Sequence, residues 1–355
     1  MKKILFIFSN DFGELVLLRL FSFGQPMHIH VALPHRLYNH FDLPNVTKIL
    51  YKNTNEIKTY VEKIEPDTVV LYCGYLIAPN NIIPYSDFHA LLDYFNQRDI
   101  PIITSDPFLR FYEHNNYEAE GNEFRPYIRN ALKRLGERLA DYPHIYCVPF
   151  QSRTVQTINY SNQLKRDNNI YHLKRKEWTF VLAWEDFAAF RFDDGHDLLS
   201  IICPQLEEIT RQHNITVNLI FPSDFINEIK KLIPNSKNIH YIEFCNIEKF
   251  ESIIARSEII FYWNLFSAST LLCRLYNKPT IYLAKGHMEL IYPGFFEYAS
   301  RSWFPENPPE IIPLTKDFVS VVLSKLNSSS QNDKAAIFQP YYNLLSPVEA
   351  LSKMG

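Results

Sequence analysis

The sequence predicts an α/β protein made of two Rossmann-like domains. Three observations favour this fold: a length of 355 residues, short apolar runs that alternate with amphipathic stretches, and the same strand-then-helix order in both halves. A chain of this length exceeds the size at which one hydrophobic core usually keeps growing, so two domains are expected. Strands that alternate with helices at short intervals favour parallel sheets with helices on both faces.

The first predicted domain spans residues 1–160. It opens with an apolar run at Lys2–Phe8, a polar loop, and a stretch with helical spacing at Leu15–Phe23, which is typical of the first strand and helix of an open sheet. Further strands are expected at His28–Ala32, Asp67–Cys73, Ile100–Thr104 and Ile145–Val148. The segment from Gln151 to Lys176 has no apolar periodicity and is interpreted as the connection between domains.

The second predicted domain spans residues 177–326. Its strands are expected at Thr179–Trp184, Thr216–Phe221, Ile239–Phe244, Ile259–Trp263 and Thr280–Leu283. A long helix is expected at His196–Gln212. Residues 327–355 are interpreted as a polar linker and a C-terminal helix that packs back across the domains.

Composition narrows the function classes. A net charge of −3 argues against non-specific binding to nucleic acid. The five cysteines are scattered and odd in number, which suits reduced thiols better than a disulfide framework or a zinc site. The apolar run at the N-terminus is too short for a signal peptide or an integral membrane segment. We therefore expect a cytoplasmic protein; the sequence indicates no oligomeric state.

A possible anion site lies between the strands at Ile259–Trp263 and Thr280–Leu283. The turn between them contains Ser267, Ser269 and Thr270 and leads into a short helix. Hydroxyls and unpaired N–H groups at a helix start favour negative charge. The alternative interpretation is that these hydroxyls only cap the helix.

The order of elements resembles the GT-B glycosyltransferases. The resemblance is strongest where Asn246–Ser257 is followed by EIIFYW, the SAST turn and Asn277-Lys278-Pro279. It implies two Rossmann-like domains that face each other across a cleft, with the diphosphate of a nucleotide-sugar donor held mainly by the second domain. On this reading Ser267, Ser269 and Thr270 bind the donor.

The resemblance also implies a catalytic base in the loop after the first strand, where this sequence has Asp11. A carboxylate there would take the proton of an acceptor hydroxyl as it attacks the anomeric carbon. Asp106, which follows another strand, is the alternative base or a ligand of acceptor hydroxyls, and Glu14 is the runner-up. An aspartate in such loops is also a common cap or turn residue.

Further donor-binding residues are expected at the ends of strands in the second domain, where open α/β sheets place ligands. Arg191 would pair with the diphosphate, while the acidic residues beside it solvate their loop. Under the resemblance, Phe244 and Cys245 would contact the nucleotide base, although a phenylalanine at a strand end is as often part of the core.

The loop after the strand at Thr280–Leu283 resembles a loop that faces the donor sugar. Lys285 or His287 would assist the leaving phosphate by charge or by proton donation, and Glu289 would hold sugar hydroxyls.

The absence of several sequence motifs argues against other classes of enzyme. The sequence has no GxxxxGK[ST], GxGxxG or GxSxG pattern, so it lacks the usual devices of P-loop hydrolases, dinucleotide oxidoreductases and α/β-hydrolases. It has no Asp-x-Asp triplet, which fits a metal-independent transferase without a cofactor beyond the donor itself. His28 and His30 are expected to point to opposite faces of a strand, so no metal pair is predicted.

We therefore expect an inverting, metal-independent GT-B glycosyltransferase that uses a nucleotide-sugar donor and a sugar, peptide or small-molecule acceptor. A nucleotide-sugar epimerase or hydrolase is the first alternative. A non-catalytic partner subunit that binds nucleotide or sugar is the second, because Asn264-Leu265-Phe266 and Leu272 stand where many donor sites of this kind have glycine and glutamate.

Overall fold

The chain divides into two compact units, one formed by residues 1–163 with 341–355 and the other by residues 164–340. The computed structural model describes residues 3–10, 12–22, 28–40, 42, 45–72, 82–105, 134–146, 157–159, 176–184, 186–187, 197–234, 236–243, 245–265, 267–276, 278–286, 289–290, 293, 296–297, 300, 309, 311–328 and 345–353.

The first unit contains a seven-stranded parallel sheet in the order β3-β2-β1-β4-β5-β6-β7. Its strands are β1 Ile4–Phe8, β2 Ile29–Leu33, β3 Val46–Leu50, β4 Thr68–Tyr72, β5 Ile102–Ser105, β6 His144–Tyr146 and β7 Thr157–Asn159. Its helices are α1 Phe12–Ser22, α2 His35–Tyr38, α3 Thr54–Ile64, α4 Tyr85–Gln97, α5 at 134–139 and, near the C-terminus, α11 Pro347–Ser352.

Helices cover both faces of this sheet. On one face, Leu5 and Ile7 of β1 share a buried cluster with residues of α3, α4 and α5. On the other face, Phe6 packs edge-on against Phe21 of α1, with 5.3 Å between ring centroids. Because β1 is buried on both sides, its run of five apolar residues needs no polar alternation.

The second unit contains a six-stranded parallel sheet in the order β10-β9-β8-β11-β12-β13. Its strands are β8 Glu177–Val181, β9 Thr216–Ile220, β10 Ile239–Ile242, β11 Ile259–Tyr262, β12 Thr280–Leu283 and β13 Ile311–Ile312. Its helices are α6 Asp197–Glu207, α7 Ser223–Leu232, α8 Ile247–Arg256, α9 Ser269–Leu275 and α10 Phe318–Ser328, with a π-helical turn at Glu208–Gln212 after α6.

The core of the second unit is rich in aromatic rings. Phe180 of β8 stacks on Phe261 of β11 with centroids 4.3 Å apart. Phe318 of α10 meets the edge of Phe261, so α10 packs on the same face as α6 and α7. Alternate residues of β11 point to the opposite face, where the Tyr262 hydroxyl lies 3.5 Å from Cys273 Sγ of α9.

The helix expected at His196–Gln212 is present from Asp197 to Gln212. It changes at Glu208 from α-helix to π-helix, where the Thr210 hydroxyl donates to the Leu206 carbonyl at 2.7 Å. Two local expectations are wrong. Strand β7 lies inside the segment that was interpreted as a connection between domains. His28 and His30 share one face of the sheet, with ring centroids 5.3 Å apart, because residues two apart in a strand point the same way.

Candidate active site

The sheet order fixes where a ligand can enter the second unit. The chain builds β8, β9 and β10 outward in one direction and then returns through α8 to place β11 on the other side of β8. The strands β8 and β11 are neighbours, but the connection after β8 leads to β9 on one side and the connection after β11 leads to β12 on the other. In open α/β sheets, the crevice at the carboxyl ends of such strands is the usual ligand site.

Three loops meet at this edge through Gly286. A Cβ on Gly286 would overlap the backbone carbonyl of Trp263, standing 2.9 Å from its carbon atom, and would stand 3.3 Å from Oδ1 of Asp186. Asp186 follows β8, Trp263 follows β11 and Gly286 follows β12. Only a residue without a side chain allows this approach, so Gly286 holds the three loops together.

Sequence reasoning missed the role of Gly286 and misread the environments of Asp186 and Trp184. The acidic residues after β8 were expected to solvate their loop, but Asp186 is fully buried. No role was predicted for Gly286, because its role depends on a contact with a residue 23 positions away in sequence, which no local pattern reveals. Trp184 was assigned to a strand, whereas β8 ends at Val181 and the indole is 54% exposed at this edge.

Two phenylalanine rings support the exposed indole of Trp184. Its ring centroid lies 5.5 Å from that of Phe187, which in turn lies 5.0 Å from Phe225 of α7. Phe187 is buried, so the pair fixes one side of the indole while the other side faces solvent. A rigid aromatic face of this kind can stack on a planar base or on the apolar face of a sugar.

The predicted anion turn forms a compact unit at the start of α9. Ser267 Oγ lies 2.7 Å from Ser269 Oγ, and the Thr270 hydroxyl donates to the Ser267 carbonyl at 2.8 Å. The N–H groups of Thr270 and Leu271 donate to the carbonyls of Ser267 and Ala268. Ser269 and Thr270 are buried, whereas Ser267 is half-buried, so of the three hydroxyls that of Ser267 is the most accessible to a ligand.

A buried tyrosine of β11 contacts the helix that follows this turn. The Tyr262 hydroxyl contacts Cys273, and burial, followed by the neighbouring Cys273, raises the pKa of Tyr262 well above its ordinary value. Ser269 also hydrogen-bonds this hydroxyl. Tyr262 therefore stays neutral and ties the first turn of α9 to β11.

The loop after β12 contains two of the predicted donor residues. Lys285 has a left-handed backbone with φ of 65°, and its side chain is exposed. Its N–H donates to the Glu289 carboxylate at 2.6 Å, and the Glu289 N–H donates to the Gly286 carbonyl at 3.0 Å. Glu289 thus shapes the turn that presents Lys285, whereas its contact with a sugar stays a prediction.

Cys245 lies just after β10 and is partly buried. Burial raises the pKa of its thiol to about 11, against a smaller lowering effect of Lys249. The thiol is therefore protonated at neutral pH, which suits a packing contact and not a nucleophile. Its predicted contact with a nucleotide base stays a prediction.

Five predicted site residues lie outside the described residues: Asp11, Asp106, Arg191, Phe244 and His287. Their roles stay predictions.

The corresponding edge of the first unit contains a buried carboxylate. Glu14, in the first turn of α1, accepts the Ser9 N–H at 2.7 Å and the Ser9 hydroxyl. Tyr51, which follows β3, donates its hydroxyl to the carbonyl of Phe8 at the end of β1, and burial together with Glu14 raises its pKa. Glu14 is 1% exposed, so in this arrangement it shapes the loop after β1 instead of meeting a substrate.

Each unit is thus a Rossmann-like α/β domain with a parallel sheet. No protein-family model matches the sequence, and no curated protein matches it either. The structure is similar to a proposed UDP-N-acetylglucosamine 2-epimerase from Listeria monocytogenes, with a TM-score of 0.59 and 11% identity over 100% of this chain and 96% of that one.

Two further solved structures are also similar to it. MurG from Acinetobacter baumannii gives a TM-score of 0.52 and 10% identity over 100% of this chain and 99% of that one. WaaG, a glycosyltransferase involved in lipopolysaccharide biosynthesis, gives 0.52 and 12% over 99% of each chain. The chain has the GT-B fold, and the two Rossmann-like domains predicted from the sequence are confirmed.

Within the described part of the chain, every helix is too short or too polar to cross a bilayer.

Proposed function

We propose that this protein is a glycosyltransferase that binds a nucleotide-sugar donor at the carboxyl edge of its second sheet. The observation that carries the proposal is the meeting of three loops there, with Gly286 packed against Trp263 and Asp186. Because these loops are packed tightly together without a ligand, binding does not have to order them. The entropy cost of binding is therefore lower.

The other described groups at this edge support a diphosphate and a sugar or base as the ligand. Ser267 offers a hydroxyl, Lys285 offers an exposed positive charge, and Trp184 offers a flat apolar surface. Hydroxyls and an ammonium favour phosphate oxygens, and an indole favours a base or sugar ring. Glycosyltransferase activity in the structurally similar WaaG fits this ligand class.

The proposed reaction is a direct displacement. The acceptor oxygen forms a bond to the anomeric carbon while the bond from that carbon to the diphosphate breaks. The acceptor proton passes to Asp11, with Asp106 as the alternative base. Positive charge at the Lys285 loop would stabilise the departing diphosphate without a bound metal.

Titration of the full chain with UDP, GDP, ADP and dTDP tests donor binding, with calorimetry and tryptophan fluorescence as the two readouts. We expect one nucleotide to bind below millimolar concentration and to change the fluorescence of Trp184, because Trp178 and Trp263 are buried. The fourth tryptophan, Trp303, lies outside the described residues, so a Trp303→Phe background is used for the fluorescence readout. The Trp184→Phe variant should lose most of the fluorescence change while calorimetry still detects binding. Absence of heat with all four nucleotides at millimolar concentration would refute donor binding at this edge.

A nucleotide-sugar epimerase or hydrolase is the second candidate, favoured by the similarity to the Listeria structure, which has the highest TM-score among those compared above. Consumption of the donor without any acceptor would favour this candidate, whereas consumption that requires an acceptor would favour transfer. Ligand binding without turnover on a panel of nucleotide sugars and acceptors would favour a non-catalytic partner subunit.

A further inference from the structure

Two histidines form a pair at the start of β2, at the amino ends of the strands and therefore opposite the ligand edge of the first sheet. The ring centroids of His28 and His30 are 5.3 Å apart, and the ring planes meet at 75°. Two imidazoles that bind one tetrahedral ion through metal–nitrogen bonds of about 2.0–2.1 Å place their centroids about 5 Å apart. The pair already has the separation of a two-histidine chelate.

Each ring is held by a hydroxyl on a neighbouring element. His28 Nε2 lies 2.8 Å from Thr47 Oγ1 of β3, and His30 Nδ1 lies 2.9 Å from the Tyr60 hydroxyl of α3. One nitrogen of each ring is therefore engaged, and the other remains as a possible ligand. Metal-binding histidines commonly have this arrangement, because a second partner fixes the ring orientation and the tautomer.

One positive charge lies near the pair. Lys3 is close enough to act electrostatically on His30, and its ammonium donates to the Ile64 carbonyl at 3.0 Å. This charge opposes a nearby cation, so its removal is part of the test below.

We propose that His28 and His30 form a binding site for one divalent transition-metal ion, with Cu²⁺ and Zn²⁺ as the best candidates. Imidazole nitrogen suits both ions, and copper binds such ligands more tightly than the other divalent ions of its row. Within the described residues no group of three His, Cys, Asp or Glu side chains surrounds the pair, so water would complete the coordination shell. The site is independent of the proposed transferase reaction.

The test uses the full chain without a histidine tag. Calorimetry with ZnCl₂ should show one ion bound per chain, and electron paramagnetic resonance with CuCl₂ should show coupling to two nitrogen ligands. His28→Gln and His30→Gln should each weaken binding at least about tenfold. His240→Gln is the matched control, because His240 is an exposed strand histidine with one nitrogen 3.0 Å from Asn218 Oδ1 and should leave binding unchanged.

Two further variants separate ligation from a loss of structure. Lys3→Gln should raise the metal affinity about threefold, since it removes a positive charge near the site. Tyr60→Phe should lower it, since it releases the His30 ring. Unfolding of each metal-free variant in urea reports whether it folds as the parent does. The proposal is overturned if the double variant His28→Gln/His30→Gln binds either ion as tightly as the parent, or if the parent binds neither ion at millimolar concentration.

Discussion

The backbone of Gly286 lies against the backbone carbonyl of Trp263, and it leaves no room for a Cβ atom between the loop after β12 and the loop after β11. The contact joins two strands that are neighbours in the sheet, β11 and β12, beyond the point where their ladder ends. A residue with any side chain at this position must push the two loops apart.

Gly286→Ala should therefore destabilise the second unit. Because the obstacle is backbone and not the end of a flexible side chain, we expect a loss of about 1–3 kcal/mol in the free energy of unfolding. Urea denaturation followed by tryptophan fluorescence measures it, because all four tryptophans of the chain belong to the second unit. An unchanged midpoint would show that the loop after β12 moves aside freely.

Ser267→Ala should weaken nucleotide binding about fivefold, which corresponds to one hydrogen bond of roughly 1 kcal/mol. Ser320→Ala is the matched control, since Ser320 also lies near a helix start and donates to a local carbonyl, that of Asp317, at 2.8 Å. Calorimetric titration with the nucleotide that the parent binds measures the affinity of each variant. Equal affinities in both variants would remove Ser267 from the site and leave it as a capping residue.

Asp11→Asn should lower turnover by about 10²–10⁴-fold with little change in nucleotide affinity, because the base acts on the acceptor proton. Asp106→Asn is the comparison. A large loss with Asp106→Asn and none with Asp11→Asn would move the base to Asp106. Full activity in both variants would contradict the proposed mechanism while leaving donor binding intact.

Glu14→Ala should cost more stability than Glu56→Ala. Both side chains lie in the first turn of a helix and accept a backbone N–H, from Ser9 and from Lys52 respectively. Glu14 is buried, so its loss removes two hydrogen bonds from Ser9 at a place that water does not reach, whereas Lys52 and Glu56 are exposed and water replaces the bond. We expect a difference of about 1–3 kcal/mol by urea denaturation; equal losses would contradict the structural role of Glu14.

Alkaline pH should destabilise the fold through two thiols. Burial, with a contribution from Glu207, raises the pKa of Cys203 to about 11, and burial raises that of Cys245 to about 11. The unfolded thiol titrates near 8.5, so the stabilisation is fully present below about pH 8.5 and is lost as the pH rises through about 11.

The measurement is the urea midpoint from pH 7.5 to 10.5 for the parent and for Cys245→Ala. Lysines and tyrosines titrate in the same range and affect both proteins, so the difference between the two curves isolates Cys245. We expect the variant to lose less stability with rising pH. Parallel curves would show that Cys245 is accessible to water in the folded state.

Five of the six strands described in the second unit were predicted, because their local pattern agrees with their environment; the two-residue strand β13 was not. β12 was expected at Thr280–Leu283 and has those bounds, and β11 differs from its expected range by one residue. A buried parallel strand is a short, continuous run of apolar residues, and such a run is easily recognised in sequence, as in β1. Strand β7 was missed because its three residues, Thr157–Asn159, include a single strongly apolar side chain.

The site was less accessible to sequence reasoning. Its candidate residues at the ends of strands follow from the fold, but the burial of Asp186 and the contact made by Gly286 depend on how separate loops pack. The prediction for His28 and His30 was wrong for another reason. Side chains alternate between the two faces of a strand, so residues two positions apart lie on the same face and not on opposite faces.

The helix α11 belongs to the first unit, although the whole second unit precedes it in the chain. The first domain is therefore interrupted in sequence: during synthesis, its last helix leaves the ribosome only after every residue of the second domain has been made. The second domain, which is continuous in sequence, can complete its fold first. The two domains can thus mature in the reverse of the order in which their synthesis begins.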